Sequence, residues 1–259
     1  MISGFKQKVV AVIAEQSPIS VIDSGLSVIR DNKADVLKLR LDCLDPQHLN
    51  ERTIGTLRQA FPNTELMVSI RNVASIPETR IEEEGYKVGK HDLDRIALLR
   101  KAVEEGFQYF ELEHQLRRNF FLLGKKPSKV VILYTNLKET PSKDNLITIY
   151  SDVLRLGADH VVFECTIKDR LKDRGKEDRS NLMTLLQESS KVDNFKPLTV
   201  VGRGKFGRNL NLEAYKLGLS QFVYGVVPSF SPIPFLDRKR VYHEMPTLDE
   251  VNRYLGRNS

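Results

Sequence analysis

Residues 146–166, LITIYSDVLRLGADHVVFECT, carry a helix signal, a turn and a strand signal in one short stretch. Leu146, Ile149, Tyr150, Val153 and Leu154 recur at helical spacing, and Gly157 follows where a helix C-cap is needed. His160 to Thr166 then runs apolar and β-branched for about the length of one strand. The same unit repeats outward in both directions. Val-, Ile- and Leu-rich runs stand at Val9 to Ala14, Val36 to Asp42, Leu66 to Arg71, Gln108 to Glu113, Val130 to Thr135, Leu198 to Arg203 and Phe222 to Val227. Helical spacing returns at Leu182, Leu185 and Leu186, and again at Thr247, Leu248, Val251, Tyr254 and Leu255, where Thr247 and Glu250 form a capping box. Eight alternations of strand and helix over this length predict a single (β/α)8 barrel domain spanning residues 1–259. An open doubly wound sheet is the alternative.

Composition fits one globular unit. A chain of 259 residues can bury a large core, and no Pro/Gly/Ser-rich linker or low-complexity tract divides it. The apolar runs are far short of a membrane span, and Met1 to Lys8 lack the apolar stretch of a signal peptide, so a cytoplasmic location without membrane contact is expected. The formal charge of +6 hides interleaved signs, as in Lys168-Asp169-Arg170-Leu171-Lys172-Asp173-Arg174. Nucleic acid as a partner is disfavoured, because it calls for a one-signed stripe with aromatic interleaving, and Trp is absent.

Cys43 and Cys165 end two strands and sit in no ligand spacing, so both are expected to be reduced, buried thiols. His48, His91, His114, His160 and His243 form no HxH or HExxH pair. No metal site and no cofactor is expected. Gly202-x-Gly204-x-x-Gly207 has the outline of a dinucleotide fingerprint, but it follows the seventh strand and lacks the acidic ribose contact downstream. With Arg203 and Lys205 it reads as an anion-cradling turn or as a simple tight loop.

In a barrel of this kind the site lies at the C-terminal strand ends. Alternation puts Lys38, Arg40 and Asp42 on one face of strand two and Glu111 and Glu113 on one face of strand four. Arg71, Thr135, Asn136, Glu164 and Arg203 end or near the end of strands three, five, six and seven, and Ser229 and Ser231 follow strand eight. Guanidinium groups suit bidentate capture of a carboxylate or phosphate, so a small anionic molecule is the expected partner. The alternative is that these charges only pair with one another at the rim. Asn72 to Asp92 and the charged Ile167 to Ser180 read as loops at this end, either lids or solvated surface.

The order of motifs resembles the type I 3-dehydroquinate dehydratase family, the Schiff-base lyase of the shikimate pathway. Lys38-Leu39-Arg40-Leu41-Asp42 is similar to its E-x-R-x-D strand, Ser69-Ile70-Arg71 to its T-x-R strand, and Glu84-Gly85 to its E-G-G. Phe110 to Glu113 is similar to its acidic fourth strand, and Tyr134 to Pro141 to its Y-H-D-F-x-x-T-P. Gly157 to Val162 is similar to its G-A-D-x-x-K, and Gly202 to Gly207 to its seventh-strand M-G-x-x-G region. The resemblance implies an imine-forming lysine on strand six and a proton-shuttling histidine on strand five. Those positions are Val162 and Thr135 here, and neither side chain can do that chemistry. Lys38 stands for the carboxylate paired with that histidine, Asn211 for a later arginine and Phe235 for a late glutamine.

What persists is a binding set: Lys38, Arg40, Arg71, Glu111, Arg203 and Ser231. The expectation is therefore a dehydratase-like barrel that binds a small oxyacid anion without the imine chemistry, a pseudoenzyme or sensor. Two readings stay open beside it. One is an active lyase using a displaced amine such as Lys38, and the other is a scaffold that binds a protein partner. Association into a homodimer is left open.

Overall fold

The computed structural model describes residues 5–71, 90–116, 128–168, 172–189, 191, 195–228 and 245–257. The eight predicted runs are β1 (Lys8–Ile13), β2 (Val36–Arg40), β3 (Glu65–Ser69), β4 (Tyr109–Glu113), β5 (Lys129–Asn136), β6 (His160–Thr166), β7 (Leu198–Arg203) and β8 (Phe222–Val226). They form one parallel sheet in the order β7-β6-β5-β4-β3-β2-β1-β8, and helices alternate with most of the strands. This is the (β/α)8 barrel, not the open sheet. In-register partners such as Lys38↔Met67, Ser69↔Glu111 and Thr135↔Glu164 set which inward residues become neighbours.

Alternation divides every strand between two cores. Val10, Val12, Val36, Met67, Val131, Leu133, Val162, Val201 and Tyr224 fill the barrel interior. Val9, Ala11, Ile13, Leu37, Leu39, Phe110, Leu112, Phe163 and Val200 face outward into the core shared with the helices. The helices are α1 (Pro18–Arg30), α2 (Glu51–Ala60), α3 (Lys90–Glu104), α4 (Lys143–Arg155), α5 (Lys172–Ser189), α6 (Leu210–Lys216) and α7 (Leu248–Leu255). Thr247 and Glu250 form the expected capping box at α7, with both reciprocal hydrogen bonds present.

Three expectations are corrected. Strand two ends at Arg40, because Leu41–Cys43 turn into a 3₁₀ helix, which brings Asp42 back beside Arg40. Strand three ends at Ser69, so Arg71 lies just beyond it. The charged stretch read as a loop from Ile167 to Ser180 is largely α5 from Lys172 onward, because the same helix is anchored further along by the buried Leu182, Leu185 and Leu186, and Asp178 accepts from the Lys168 amide at 3.0 Å.

The barrel closes at the β7–β8 seam mainly through side chains. Gln221 N–H donates to the Leu198 carbonyl at 3.4 Å, and Phe222 N–H donates to Thr199 Oγ1 at 3.2 Å. Buried Asn211, at the start of α6, replaces a missing strand partner: its Nδ2 donates to the Phe222 carbonyl at 3.0 Å and its Oδ1 accepts from Tyr224 N–H at 2.9 Å. His160, between Gln221 and Thr199 at 2.8 and 2.9 Å, backs the same seam, and burial pushes its imidazole down to about 3, so it stays neutral. We predict that Asn211→Ala, which strands a buried carbonyl and a buried amide, lowers stability by about 2 to 4 kcal/mol. Urea unfolding should show a lower midpoint at an unchanged slope, and a wild-type midpoint would mean that the seam holds without Asn211.

Candidate ligand-binding site at the barrel mouth

The inward rows change from apolar to charged as they approach the C-terminal ends. Val36 gives way to Lys38 and Arg40 on β2, Val162 to Glu164 on β6, and Val201 to Arg203 on β7. Glu164 is the hub. Its Oε2 accepts from Arg71 Nη1 at 3.0 Å and its Oε1 accepts from Arg203 Nε at 2.6 Å, with Arg203 Nη2 on the same oxygen. Thr135 Oγ1 reaches Oε2 at 3.4 Å. Glu111 forms the second node: Oε2 accepts from Lys38 Nζ at 2.5 Å, and Oε1 accepts from Ser69 Oγ at 2.8 Å and from Arg71 Nε and Nη2 at 3.3 Å each. Arg40 grips Asp42 through Nε at 2.9 Å and Nη2 at 2.5 Å.

Burial alone would raise the Glu111 carboxyl, but Lys38 and Arg71 outweigh it and hold the group down at about 2. Glu164 is likewise held well below the usual carboxylate range, because Arg203, Arg71 and Lys38 outweigh its desolvation. Lys38 responds differently: burial drives its ammonium down to about 8, Glu111 restores part of the loss, and Arg71 and Arg40 repel it further. Among the described residues, Lys38, Arg40, Arg71 and Arg203 are thus paired with Asp42, Glu111 and Glu164. Glu113, read as part of this face, is taken instead by Arg95 of α3.

These charges surround a cavity of about 20 Å³, room for about one water molecule. Lys38, Arg40, Arg71, Glu164, Arg203 and Tyr224 line it, with Val12, Leu133, Val162, Val201 and Met245 as apolar wall. The three arginines converge as expected, and each is also engaged by a carboxylate. Of the three, Arg71 has the most exposed side chain, 15% against 4% for Arg40 and 6% for Arg203. Ser229, Ser231, Glu84, Phe235 and His243 lie outside the described residues.

Other features singled out in the sequence fall elsewhere. Asn211 belongs to the seam. The Gly202–Gly207 loop is a tight turn: a Cβ on Gly202 would come within 2.7 Å of Gly207 Cα, and one on Gly207 within 2.5 Å of the Arg203 carbonyl. The Gly207 and Arg208 amides both turn inward to the Gly204 carbonyl, at 3.0 and 3.1 Å, so they are not presented to an anion. Cys165 is buried and its thiol is pushed up by burial, but Cys43 is only half-buried, because the 3₁₀ turn carries it out of the strand. Among the described residues no three His, Cys, Asp or Glu side chains group as metal ligands, and no helix is long and apolar enough to cross a membrane. The hub role of Glu164 and the wall residues Tyr224 and Met245 went unread. Tyr224 had a signal, since it alternates with Phe222 and Val226 on an inward row.

The family model for type I 3-dehydroquinase matches residues 11–234. The chain belongs to the type I 3-dehydroquinase family. A 3-dehydroquinate dehydratase of Methanococcus maripaludis is 27% identical over 155 residues, covering 57% of this chain and 70% of the relative. One from Methanocaldococcus jannaschii is 26% identical over 130 residues, covering 48% and 52%. Among solved structures, the type I enzyme of Clostridium difficile with covalently modified comenic acid superposes with a TM-score of 0.73 at 16% identity, over 98% of this chain and 92% of that one. The 3-dehydroquinate dehydratase of Geobacillus kaustophilus gives 0.69 at 18% identity, over 98% and 91%. These superpositions carry the barrel fold.

The ion-pair network fixes an acid response for this dehydroquinase-family barrel. Glu111 and Glu164 are depressed below the roughly 4.3 of a free glutamate, so the unfolded chain takes up protons first. The stability they contribute is complete above about pH 4.3 and is lost as pH falls toward about 2. Glu164→Gln, which leaves two buried guanidiniums short of a carboxylate, should cost about 3 to 5 kcal/mol at pH 7 and flatten this acid limb. Urea midpoints at pH 7, 5, 4 and 3 measure both effects, and equal acid slopes in the two proteins would exclude Glu164 as the source.

Proposed function

We propose that this barrel binds a small oxyacid anion at its C-terminal mouth and does not carry out imine chemistry at its strand-five and strand-six positions. The observation that supports this reading is the convergence of Lys38, Arg40, Arg71 and Arg203 on one cavity at the strand ends. Arg71 is the natural capturing group. When it turns away from its two carboxylates, Glu111 keeps Lys38 and Ser69, and Glu164 keeps Arg203 and Thr135. No carboxylate is stranded by the exchange, and a planar guanidinium becomes available for a bidentate contact.

Val162 supports the second half of the reading. It lies on the cavity wall where the family resemblance expects the imine-forming lysine, and an apolar side chain offers no nucleophile. Thr135, at the position of the family's proton shuttle, reaches Glu164. The competing reading, a dehydratase with Lys38 as a displaced amine, draws on that residue's depressed pKa of about 8 and its place on the same wall.

Melting temperature with dehydroquinate, quinate, shikimate and inorganic phosphate tests binding, since a ligand at about a hundred times its Kd adds about 2.7 kcal/mol. Arg71→Ala should keep the fold and lose the shift, and a shift of wild-type size in that variant would remove Arg71 from the site. Anion affinity should fall as pH rises through about 8, because Lys38 then loses its proton and one positive charge leaves the cavity wall. An affinity constant from pH 7 to 9.5 would show that this charge plays no part. Borohydride reduction with dehydroquinate, followed by mass spectrometry, should leave every lysine unmodified. An adduct on Lys38 would establish the competing reading.

A further inference from the structure

Tyr224 sits in the middle of the inward row of β8 and is 2% exposed, yet its hydroxyl is the one buried tyrosine oxygen without a hydrogen-bond partner among the described residues. Its ring faces Lys38 Nζ at 5.0 Å from the centroid, and it lines the same cavity as Arg71, Glu164 and Arg203. A buried hydroxyl left unpaired is unfavourable, and tyrosine O–H groups ordinarily find a partner when buried. Phenylalanine would pack the same space without that cost. The hydroxyl is therefore placed for something that enters the cavity.

The surroundings define what that something is. Glu111 and Glu164 both act electrostatically on the Tyr224 hydroxyl, with Arg71 opposing them, and burial adds to the two carboxylates in keeping the phenol protonated. The hydroxyl is thus a donor, and it needs an acceptor. A second ionised oxygen beside two carboxylates would be repelled, so the acceptor is a neutral oxygen. Resting on the anion-binding reading above, we propose that Tyr224 is a specificity-determining residue whose hydroxyl donates to a neutral carbonyl or hydroxyl oxygen of a small acid held through its carboxylate by Arg71. The site then selects 2-hydroxy and 2-oxo acids over plain carboxylates of the same carbon skeleton. With Arg71 in place the cavity holds about one water molecule, so an acid enters only as that side chain turns out to meet its carboxylate, and the shortest members of the class are favoured.

Acetate and glycolate, which differ by one hydroxyl, are the probes, titrated calorimetrically into the wild type and Tyr224→Phe. The wild type should bind glycolate about tenfold more tightly than acetate, the worth of one buried hydrogen bond. Tyr224→Phe should bind both acids with the wild-type affinity for acetate. Without ligand its Tm should equal or exceed that of the wild type, because the removed oxygen has no protein partner. A lower ligand-free Tm would reveal a structural role for the hydroxyl and overturn the proposal, and so would a glycolate preference that survives in Tyr224→Phe. Equal wild-type affinity for the two acids defeats the role of Tyr224 while leaving anion binding intact. Binding of neither acid, nor of the larger oxyacids, removes the anion-binding reading itself and this inference with it.

Discussion

One carboxylate, Glu164, holds two guanidiniums in the interior of the barrel mouth, and the geometry around it follows from that constraint. An ionised glutamate can be buried there only if cations meet it. Arg203 does so from the adjacent strand β7 and Arg71 from the end of β3, across the barrel. Arg71 then has donors left over, which reach Glu111, and Glu111 in turn takes the ammonium of Lys38. The chain of pairs joins β2, β3, β4, β6 and β7, so the upper layer of the barrel is polar where the layer beneath it is aliphatic. Buried ion pairs are a weak source of stability but a strong source of geometric definition, since each partner removed leaves a charge stranded.

The fold was legible because its signals are local. His160 to Thr166 and Leu198 to Arg203 were bounded from their apolar runs to the residue, and Thr247 with Glu250 announced the last helix. The misreadings lie where local signals compete. Val36 to Asp42 alternates throughout as a strand would, yet its last two residues turn, because Arg40 and Asp42 pair more directly in a 3₁₀ turn than across a pleat. The run from Lys168 to Arg179 looked like a solvated loop because it lacks an apolar stripe, while the helix it opens is anchored beyond it by Leu182, Leu185 and Leu186.

The site was legible in its residue types and not in its pairings. Strand ends and alternation were enough to gather Lys38, Arg40, Arg71, Glu111 and Arg203. Which carboxylate meets which cation depends on register and on side-chain reach across the barrel, and no spacing in the sequence encodes either. Asn211 shows the same limit. It was read from the family resemblance as the replacement of an arginine, whereas in the fold it supplies the amide that β8 lacks on its β7 side.

The position of Lys38 bears on the choice between the proposed anion binding and covalent chemistry. At pH 7 a lysine with a pKa of about 8 is unprotonated in about one molecule in ten, which is ample for an amine nucleophile in itself. Its hydrogen-bonded neighbour is Glu111, a carboxylate held at about 2 by Lys38 and Arg71 together. A carboxylate stabilised so strongly in its ionised form is a poor base. The pairing that holds Glu111 ionised therefore works against proton transfer from Lys38 to that carboxylate. A ligand that drew Arg71 away from Glu111 would loosen one of the two cationic contacts that suppress its basicity, and the amine would then become more reactive only with the anion already bound.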